Sequence, residues 1–408
     1  MRPSFFQLAW IKQMRSGSIC NTIMHRPVTV AVSSPVESRR DARRAGLVYV
    51  AETSPGMTRV PRRNHFIYKR ASGKVVRDVS TLRRIRGLAI PPAWSQVWIC
   101  VRGNGHIQAT GRDARGRKQY RYHPKWVEVR DRNKYDHMMA FGRVLPRLRG
   151  QVKRDLRQKG LPRSKVIATV VRCLETTLIR VGNDEYAREN HSYGLTTMRN
   201  RHVRVRGRTI EFDFRGKSGQ QHHIELADVR LARIIRQCQE LPGQELFVYR
   251  DEESHTHGVG SQDVNDYLRE RTGQDFTAKD FRTWYGTVLA AIAFREFAEV
   301  TSAAEAKKNI RLVVGSVAKI LGNTPSVCRK CYIHPEIIQS YLEGTTVQGI
   351  SQRIGESLSD SVRKLHPIEA AVLALLQKRL KTRNAREKTP LHRLLTASYP
   401  HTKRVRRS

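Results

Sequence analysis

The sequence predicts an α+β protein with a small β-rich N-terminal domain and a mainly α-helical second domain that carries a small antiparallel sheet. Two patterns predict this division. Between residues 46 and 125, short apolar runs alternate with turn-forming Pro and Gly. From about residue 126 onward, apolar residues recur mainly at helical spacing. The predicted domains are a basic, disordered extension (1–44), the β-rich domain (45–125), the helical domain (126–390) and a basic tail (391–408).

The β-rich domain is predicted from its turns. The apolar run Val97–Val101 lies between Pro91-Pro92 and Gly103-Asn104-Gly105, which are strong turn signals. After it, residues 111–123 interleave basic residues with aromatic ones. Such interleaving favours a nucleic-acid-binding surface, although a solvated charged face is the plainer alternative.

The second domain begins with a predicted helix from Ser164 to Val181. Ser164 can cap its start and Gly182 can end it. Its apolar stripe comprises Ile167, Val170, Val171, Leu174, Leu178 and Val181. Three strands with alternating apolar residues are then predicted near 203–206, 210–214 and 223–226, and further helices near 261–272, 278–298, 303–321 and 367–383.

The charge of the chain predicts a polyanionic partner. Lys and Arg number 76 against 36 Asp and Glu, which gives a formal net charge of +40. Nucleic acid fits this excess better than a membrane surface. No segment approaches the roughly 18 apolar residues that a membrane-spanning helix needs, and the apolar patch Phe5–Ile11 is too short for a signal peptide. Six scattered cysteines fit a reducing cytosol, so we expect a cytoplasmic, nucleoid-associated protein.

Four segments carry residues suited to phosphodiester chemistry. Such chemistry without clustered carboxylates needs a nucleophile that holds the phosphate covalently, cations for the developing charge, and an acid for the leaving oxygen. The segments, in chain order, are Leu174–Gly182 with Arg180, Phe214–Lys217, Lys279–Trp284 with Arg282, and Leu321–Pro325 followed by Tyr332.

Together these segments resemble the type IB DNA topoisomerases of the poxviral and bacterial kind, over roughly residues 45–345. The resemblance implies a fold shared by these enzymes and tyrosine recombinases. It implies that Tyr332 attacks the scissile phosphate and forms a 3′-phosphotyrosyl intermediate, while Arg180 and Arg282 clamp the non-bridging oxygens. Lys217 is then the candidate acid for the leaving 5′ oxygen. Neither ATP nor a metal is expected, and one chain would clamp double-stranded DNA as a monomer and relax both signs of supercoil.

Two positions depart from the poxviral pattern. Asn323 stands where a histidine is expected, so this residue can donate a hydrogen bond but carries no proton at neutral pH. Asn183 stands where the poxviral relative has a lysine, which leaves the sequence preference open. The resemblance also assigns DNA contacts to Gln119, Tyr120, Tyr122 and Tyr186, with phosphate contacts from Arg117 and Lys118.

Two rival functions stay open on the sequence. A tyrosine recombinase has a similar active site, and a basic DNA-binding protein without catalysis is compatible with Asn323. ATP binding is not expected, because Glu211 stands where the phosphate-binding loop ending in Gly216-Lys217-Ser218 requires a glycine. Cys328 and Cys331 have metal-like spacing without a second pair, and we interpret both as plain helix residues.

Overall fold

A computed structural model describes residues 35–63, 65–114, 116–297, 302–344 and 365–388. The chain divides into two compact units, with the boundary between His137 and Met138. Antiparallel sheets and separate helices make up the described residues, which confirms the predicted α+β class.

The first unit contains a five-stranded antiparallel sheet with the strand order β2-β1-β3-β4-β5. Its elements are α1 (Pro35–Arg44), β1 (Met57–Arg62), β2 (His65–Lys69), α2 (Val79–Gly87), β3 (Ser95–Ile99), β4 (Ile107–Arg112) and β5 (Lys118–Tyr122). Helix α2 begins at Asp78, whose carboxylate accepts a hydrogen bond from the Thr81 amide at 2.7 Å. One face of the sheet packs with the buried Ile85 of α2 in an apolar core that includes Met57, Val97 and Ile99.

The end of the predicted disordered extension is helical instead. Residues 35–44 form α1, and Ala42 is fully buried in a cluster with Leu47 and Trp126. Packing of this apolar side chain stabilises the helix. The basic composition of the segment does not reveal this contact, which is why disorder was predicted. Residues 1–34 and the predicted basic tail lie outside the described residues.

The second unit is mainly helical. Helix α3 (Pro124–Asp155) crosses the boundary between the units. The later helices are α4 (Arg163–Thr177), α5 (Asp184–Asn190), α6 (Val229–Gln239), α7 (Ser261–Thr272), α8 (Ala278–Phe294), α9 (Ala303–Leu321), α10 (Pro325–Cys331), α11 (Pro335–Leu342) and α12 (Pro367–Lys388). Among the residues described, no helix is long and apolar enough to cross a membrane.

Five short strands accompany these helices. They are β6 (Val203–Arg206), β7 (Thr209–Arg215), β8 (Gln221–Ala227), β9 (Val248–Arg250) and β10 (Thr256–Gly258). Strands β6, β7 and β8 form the predicted antiparallel sheet, and Phe214 of β7 pairs with His222 of β8. The turn between β7 and β8 is therefore the tip of a hairpin.

Helix α4 ends earlier than its apolar stripe predicts. Its last residue is Thr177, and Leu178 adopts the left-handed conformation with φ 56°. The Leu178 amide donates back to the Leu174 carbonyl at 3.1 Å, so Leu178 rather than Gly182 closes the helix. A left-handed leucine costs roughly 1–2 kcal/mol, and the hydrogen bond that the Leu178 carbonyl accepts from Arg282 offsets this cost.

A buried ionic network fixes helix α4 against its neighbours. Arg149 of α3 forms two hydrogen bonds of 2.8 Å with Glu369 of α12 and one of 2.6 Å with Glu175 of α4. The Tyr285 hydroxyl of α8 lies 3.0 Å from Glu175 Oε1 and accepts from Arg149 at 2.7 Å. Since each charge has a partner, the network holds four helices in one arrangement.

Candidate active site

The turn after helix α4 places Arg180. The Arg180 carbonyl accepts a hydrogen bond from the Leu195 amide at 2.9 Å, which anchors the backbone. The side chain reaches the end of α9, where Nη2 donates to the Gly322 carbonyl at 2.9 Å and to Asn323 Oδ1 at 2.6 Å. Two predicted site residues that are 143 positions apart in the chain are therefore in direct contact.

Arg282 joins the same two helix ends from helix α8. It is 5% exposed, and its guanidinium donates to the Leu178 and Leu321 carbonyls. The left-handed turn at Leu178 therefore supplies a carbonyl partner for Arg282 two residues before Arg180. The two helix ends and the two arginines thus hold one another in place.

Asn323 follows the glycine that ends helix α9. Gly322 has φ 57°, and its amide donates to carbonyls of the last helical turn. Within the described structure, Asn323 Nδ2 is buried and has no hydrogen-bond partner. A buried unpaired donor costs about 1–3 kcal/mol, so this amide is suited to an acceptor supplied by a ligand.

Tyr332 lies directly after helix α10, and its amide donates to the Cys328 carbonyl at 2.9 Å. Its backbone packs against α8, where a β-carbon on Gly286 would lie 2.8 Å from the Tyr332 carbonyl oxygen. Thr287 Oγ1 lies 3.1 Å from the same oxygen. The Arg282 guanidinium carbon lies 5.4 Å from the centre of the Tyr332 ring. The phenol is therefore held beside a buried cation.

The site is strongly cationic. Burial and the charge of Arg282 lower the pKa of Arg180 to about 10, and burial also lowers the pKa of Arg282. Both groups still carry a charge at neutral pH. The side-chain hydrogen bonds of the two arginines go to backbone carbonyls, to the Asn323 amide oxygen and, for Arg282, to Tyr332. No carboxylate among the described residues pairs with either guanidinium. An anion bound between them would be compensated by two charges.

Lys217 lies at the exposed tip of the β7–β8 hairpin. The tip is closed by a hydrogen bond of 2.8 Å from the Gly216 amide to the Gln220 carbonyl. Arg180 and Arg282 together are called the arginine site. The hairpin contacts it through His222, whose ring lies against Gly322. Arg180, Arg282, Asn323 and Tyr332 thus lie together, and the hairpin of Lys217 lies beside them.

Comparison with known proteins assigns the family. The model of the eukaryotic DNA topoisomerase I catalytic core matches residues 123–356, which include all five of these positions. The model of the bacterial DNA topoisomerase IB N-terminal domain matches residues 65–113. The chain belongs to the type IB DNA topoisomerase family. The resemblance inferred from the four sequence segments is confirmed.

Viral relatives of this type IB topoisomerase are similar over most of their length. DNA topoisomerase 1B of Acanthamoeba polyphaga mimivirus is 31% identical over 293 residues, which cover 70% of this chain and 87% of the viral one. DNA topoisomerase 1B of vaccinia virus (strain Copenhagen) is 23% identical over 233 residues, or 56% and 70% of the two chains. DNA topoisomerase I of monkeypox virus is 22% identical over the same extent.

Several residues that shape the site were not predicted from the sequence. Leu178 orients a carbonyl toward Arg282, Gly286 and Thr287 contact the Tyr332 backbone, and His222 joins the hairpin to Gly322. Gly286 and Thr287 stand side by side on the helix that carries Arg282, and this pair is a weak sequence signal for close packing there. The other contacts join residues that are distant in sequence.

The predicted DNA-contact residues of the topoisomerase's first unit divide between two environments. Tyr120 and Tyr122 lie on the same face of strand β5, with stacked rings 5.7 Å apart, and Tyr120 is 41% exposed. Lys118 lies on the same face, because every second residue of a strand does, and it forms an ion pair with Glu52. The side chains of Arg117 and Gln119 instead bind Asp113, at 2.6 Å and 3.0 Å.

The sheet face that carries Lys118 and Tyr120, here called the open face, also contains a shallow pocket. It is lined by Glu52, Gln96, Trp98, Thr110, Gly111, Arg112 and Lys118. Tyr186 lies on helix α5 of the other unit, and its side chain lies outside the described residues. Cys328 and Cys331 are buried residues of helix α10, which agrees with their interpretation as helix residues.

Proposed function

We propose that this protein relaxes supercoiled duplex DNA by nicking and resealing one strand through Tyr332. The observation that carries the proposal is the group of donors around the tyrosine. Among the described residues, Arg180 and Arg282 have no carboxylate partner and Asn323 Nδ2 has no hydrogen-bond partner. Such a group fits the non-bridging oxygens of a phosphodiester, whose charge increases in the transition state. Family membership supports the same reaction.

The proposed cleavage step is a transfer of the phosphoryl group from DNA to the phenol. Tyr332 Oη forms a bond with phosphorus and loses its proton to solvent, while the bond from phosphorus to the 5′ oxygen breaks. Lys217 donates a proton to that leaving oxygen. The products are a 3′-phosphotyrosyl bond and a free 5′ hydroxyl.

Resealing reverses this step. The 5′ hydroxyl returns its proton to Lys217 and attacks phosphorus, the bond from phosphorus to Tyr332 Oη breaks, and the phenol regains a proton from solvent. Because the phosphotyrosyl bond conserves the energy of the broken bond, rotation of the free strand between the two steps relaxes supercoils without ATP. The proposed chemistry uses side chains alone and no metal.

The arginines are the proposed transition-state clamp. Their rigid forks of N–H donors bind two phosphoryl oxygens, which a lysine does less well. Arg282 is held by two backbone carbonyls, so its position is set before DNA arrives. Preorganised donors of this kind contribute about 10²-fold to 10³-fold each to rate.

We also propose that the open face of the first unit binds DNA. The exposed Tyr120 and the stacked Tyr122 offer aromatic surface, and Lys118, which pairs with Glu52, would exchange that carboxylate for a phosphate. Arg117 and Gln119 are engaged by Asp113 and would exchange this partner for DNA. One chain carries all the proposed groups, which supports a monomer as the working unit.

Relaxation of plasmid in excess EDTA tests the proposal. We expect the unaltered protein to convert both negatively and positively supercoiled plasmid into a ladder of topoisomers without ATP. Tyr332→Phe should bind plasmid and relax none. Tyr249→Phe is the matched control, because Tyr249 lies in the same unit and stacks on His257 instead.

Three outcomes would overturn the proposal. A strict requirement for magnesium or ATP would contradict the side-chain mechanism. Dependence on paired recognition sites would favour a tyrosine recombinase. Binding without relaxation by the unaltered protein would favour a DNA-binding protein without catalysis.

A further inference from the structure

His222 lies where the Lys217 hairpin meets the arginine site. It is the second residue of strand β8 and pairs with Phe214 of β7. The imidazole stacks on the Phe214 ring, with centroids 5.1 Å apart and an interplanar angle of 19°. Strand alternation therefore places this half-buried ring on the face of the sheet that Phe214 occupies.

Two glycines make room for the imidazole. A β-carbon on Gly216 would lie 2.5 Å from His222 Cδ2, and a β-carbon on Gly322 would lie 2.7 Å from His222 Cε1. Neither distance is possible for a real side chain, so the ring packs directly against both glycine backbones. Gly216 precedes Lys217 and Gly322 precedes Asn323. The ring therefore lies between the backbone segments that carry Lys217 and Asn323.

The charges of the site act on this ring. Burial, followed by the charges of Arg180 and Arg282, lowers the pKa of His222. The imidazole is therefore neutral at neutral pH and adds no third cation beside the arginines. Its neighbour His223 is exposed and lies 3.6 Å from Glu225, which makes it a matched control.

We propose that His222 is a positioning residue that holds the Lys217 hairpin against the Gly322-Asn323 turn. The inference rests on the proposed function, since it assumes that Lys217 protonates the leaving oxygen. The tip itself is exposed and is closed by backbone hydrogen bonds from Gly216 and Gly219. Packing of the ring on Gly216 fixes the base of the tip, and packing on Gly322 fixes its distance from the arginines.

The role predicts a defect confined to the acid step. Without the ring, Lys217 samples positions away from the leaving oxygen, while the arginines keep their carbonyl partners on helices α4 and α9. A misplacement of about 1 Å can cost on the order of 100-fold in rate. A residue that only stabilised the fold would affect DNA binding and every chemical step alike.

Single-turnover cleavage tests the role with two substrates, one with the ordinary 5′ oxygen and one with a bridging 5′ sulfur at the scissile bond. Sulfur leaves without protonation, so it bypasses the acid. We expect His222→Ala to slow cleavage of the oxygen substrate by roughly 10-fold to 100-fold. Its cleavage of the sulfur substrate should equal that of the unaltered protein, and Lys217→Ala should show the same selective rescue.

Further variants complete the design. The double variant His222→Ala/Lys217→Ala should be no slower than Lys217→Ala alone, because both changes affect one step. His223→Ala should cleave both substrates normally. If His222→Ala does not fold, His222→Asn keeps a polar side chain but lacks the ring that packs on Gly216 and Gly322, and it should give the same selective defect.

The outcomes separate the two proposals. Equal slowing on both substrates, or normal cleavage of the oxygen substrate by the folded His222 variants, would overturn the role of His222. Failure of the unaltered protein to cleave either substrate would overturn the proposed function itself.

Discussion

At the residue scale, the centre of the site is a set of side chains held by backbone carbonyls. Arg180 and Arg282 donate to carbonyls at the ends of helices α4 and α9, and no carboxylate in the described ranges pairs with either one. Asn323 accepts from Arg180 through Oδ1 and keeps Nδ2 for another acceptor. The amide therefore has one oriented donor, which is what a phosphoryl oxygen requires.

Asn323 gives the first prediction. Asn323→Ala removes a transition-state donor, so single-turnover cleavage should slow by about 10²-fold to 10³-fold. DNA affinity should change little, because most of the binding energy comes from other phosphate contacts. Asn323→His should retain most of the rate, since a neutral imidazole can accept from Arg180 and donate through its other nitrogen.

The measurement is the rate of covalent adduct formation with excess enzyme. Asn323→Ala cleavage at the rate of the unaltered protein would show that Nδ2 does not contact the reacting phosphate.

The sequence singled out residues that the structure brings together at the candidate site, but not the contacts that position them; their catalytic roles stay predictions. Arg180, Lys217, Arg282, Asn323 and Tyr332 stood in recognisable segments. Leu178, Gly286 and His222 lie in ordinary sequence, and their importance comes from approaches between residues distant in the chain. Such contacts exist only after folding, so local pattern does not reveal them.

At the element scale, the ends of helices α4 and α9 position Arg180 and Arg282. The predicted helix over Ser164–Val181 extended too far because its apolar stripe continues through Leu178. A left-handed leucine is unfavourable by itself, and the Arg282 contact compensates for it. The strands β6 to β8 were predicted well, because alternation and turn glycines are local signals.

The first unit contains a pH-sensitive residue directly before strand β4. His106 is 3% exposed, its Nδ1 accepts from the Val50 amide at 3.0 Å, and its ring stacks on Tyr49. Burial, with a smaller contribution from Arg130, lowers the pKa of His106 from 6.5 to about 4. The neutral imidazole is therefore part of the fold.

The second prediction follows from this burial. The unfolded chain takes up the His106 proton at a higher pH than the folded chain, so acid favours unfolding. The stabilising contribution is complete above pH 6.5 and is lost as the pH falls toward about 4. Urea unfolding of the unaltered protein and of His106→Gln should show this, with the variant less stable at pH 7 and less sensitive to acid. Equal slopes of stability against pH would contradict the assignment.

At the scale of the whole molecule, charge determines the partner. The net charge of +40 far exceeds what the catalytic centre uses. The excess suits a long polyanion that contacts many basic side chains at once, which agrees with a family that acts on DNA. The relation between charge and partner was readable from composition alone, because it does not depend on the fold.

The third prediction concerns salt. Each phosphate contact releases counterions, so the logarithm of DNA affinity should fall linearly with the logarithm of salt concentration, by about 0.9 per contact. Lys118→Ala should reduce this slope by about one, the equivalent of one phosphate contact. Tyr332→Phe should leave it unchanged and serves as the control. A Lys118→Ala slope identical to that of the unaltered protein would exclude Lys118 from phosphate contact.

The central claim is that Tyr332 becomes joined to DNA. The direct measurement is mass spectrometry of the peptide that carries DNA, after the unaltered protein has been trapped on duplex DNA by denaturation. We predict a single modified peptide, with the 3′ phosphate on Tyr332, and no adduct from Tyr332→Phe. An adduct on another residue, or an undiminished adduct from Tyr332→Phe, would contradict the account.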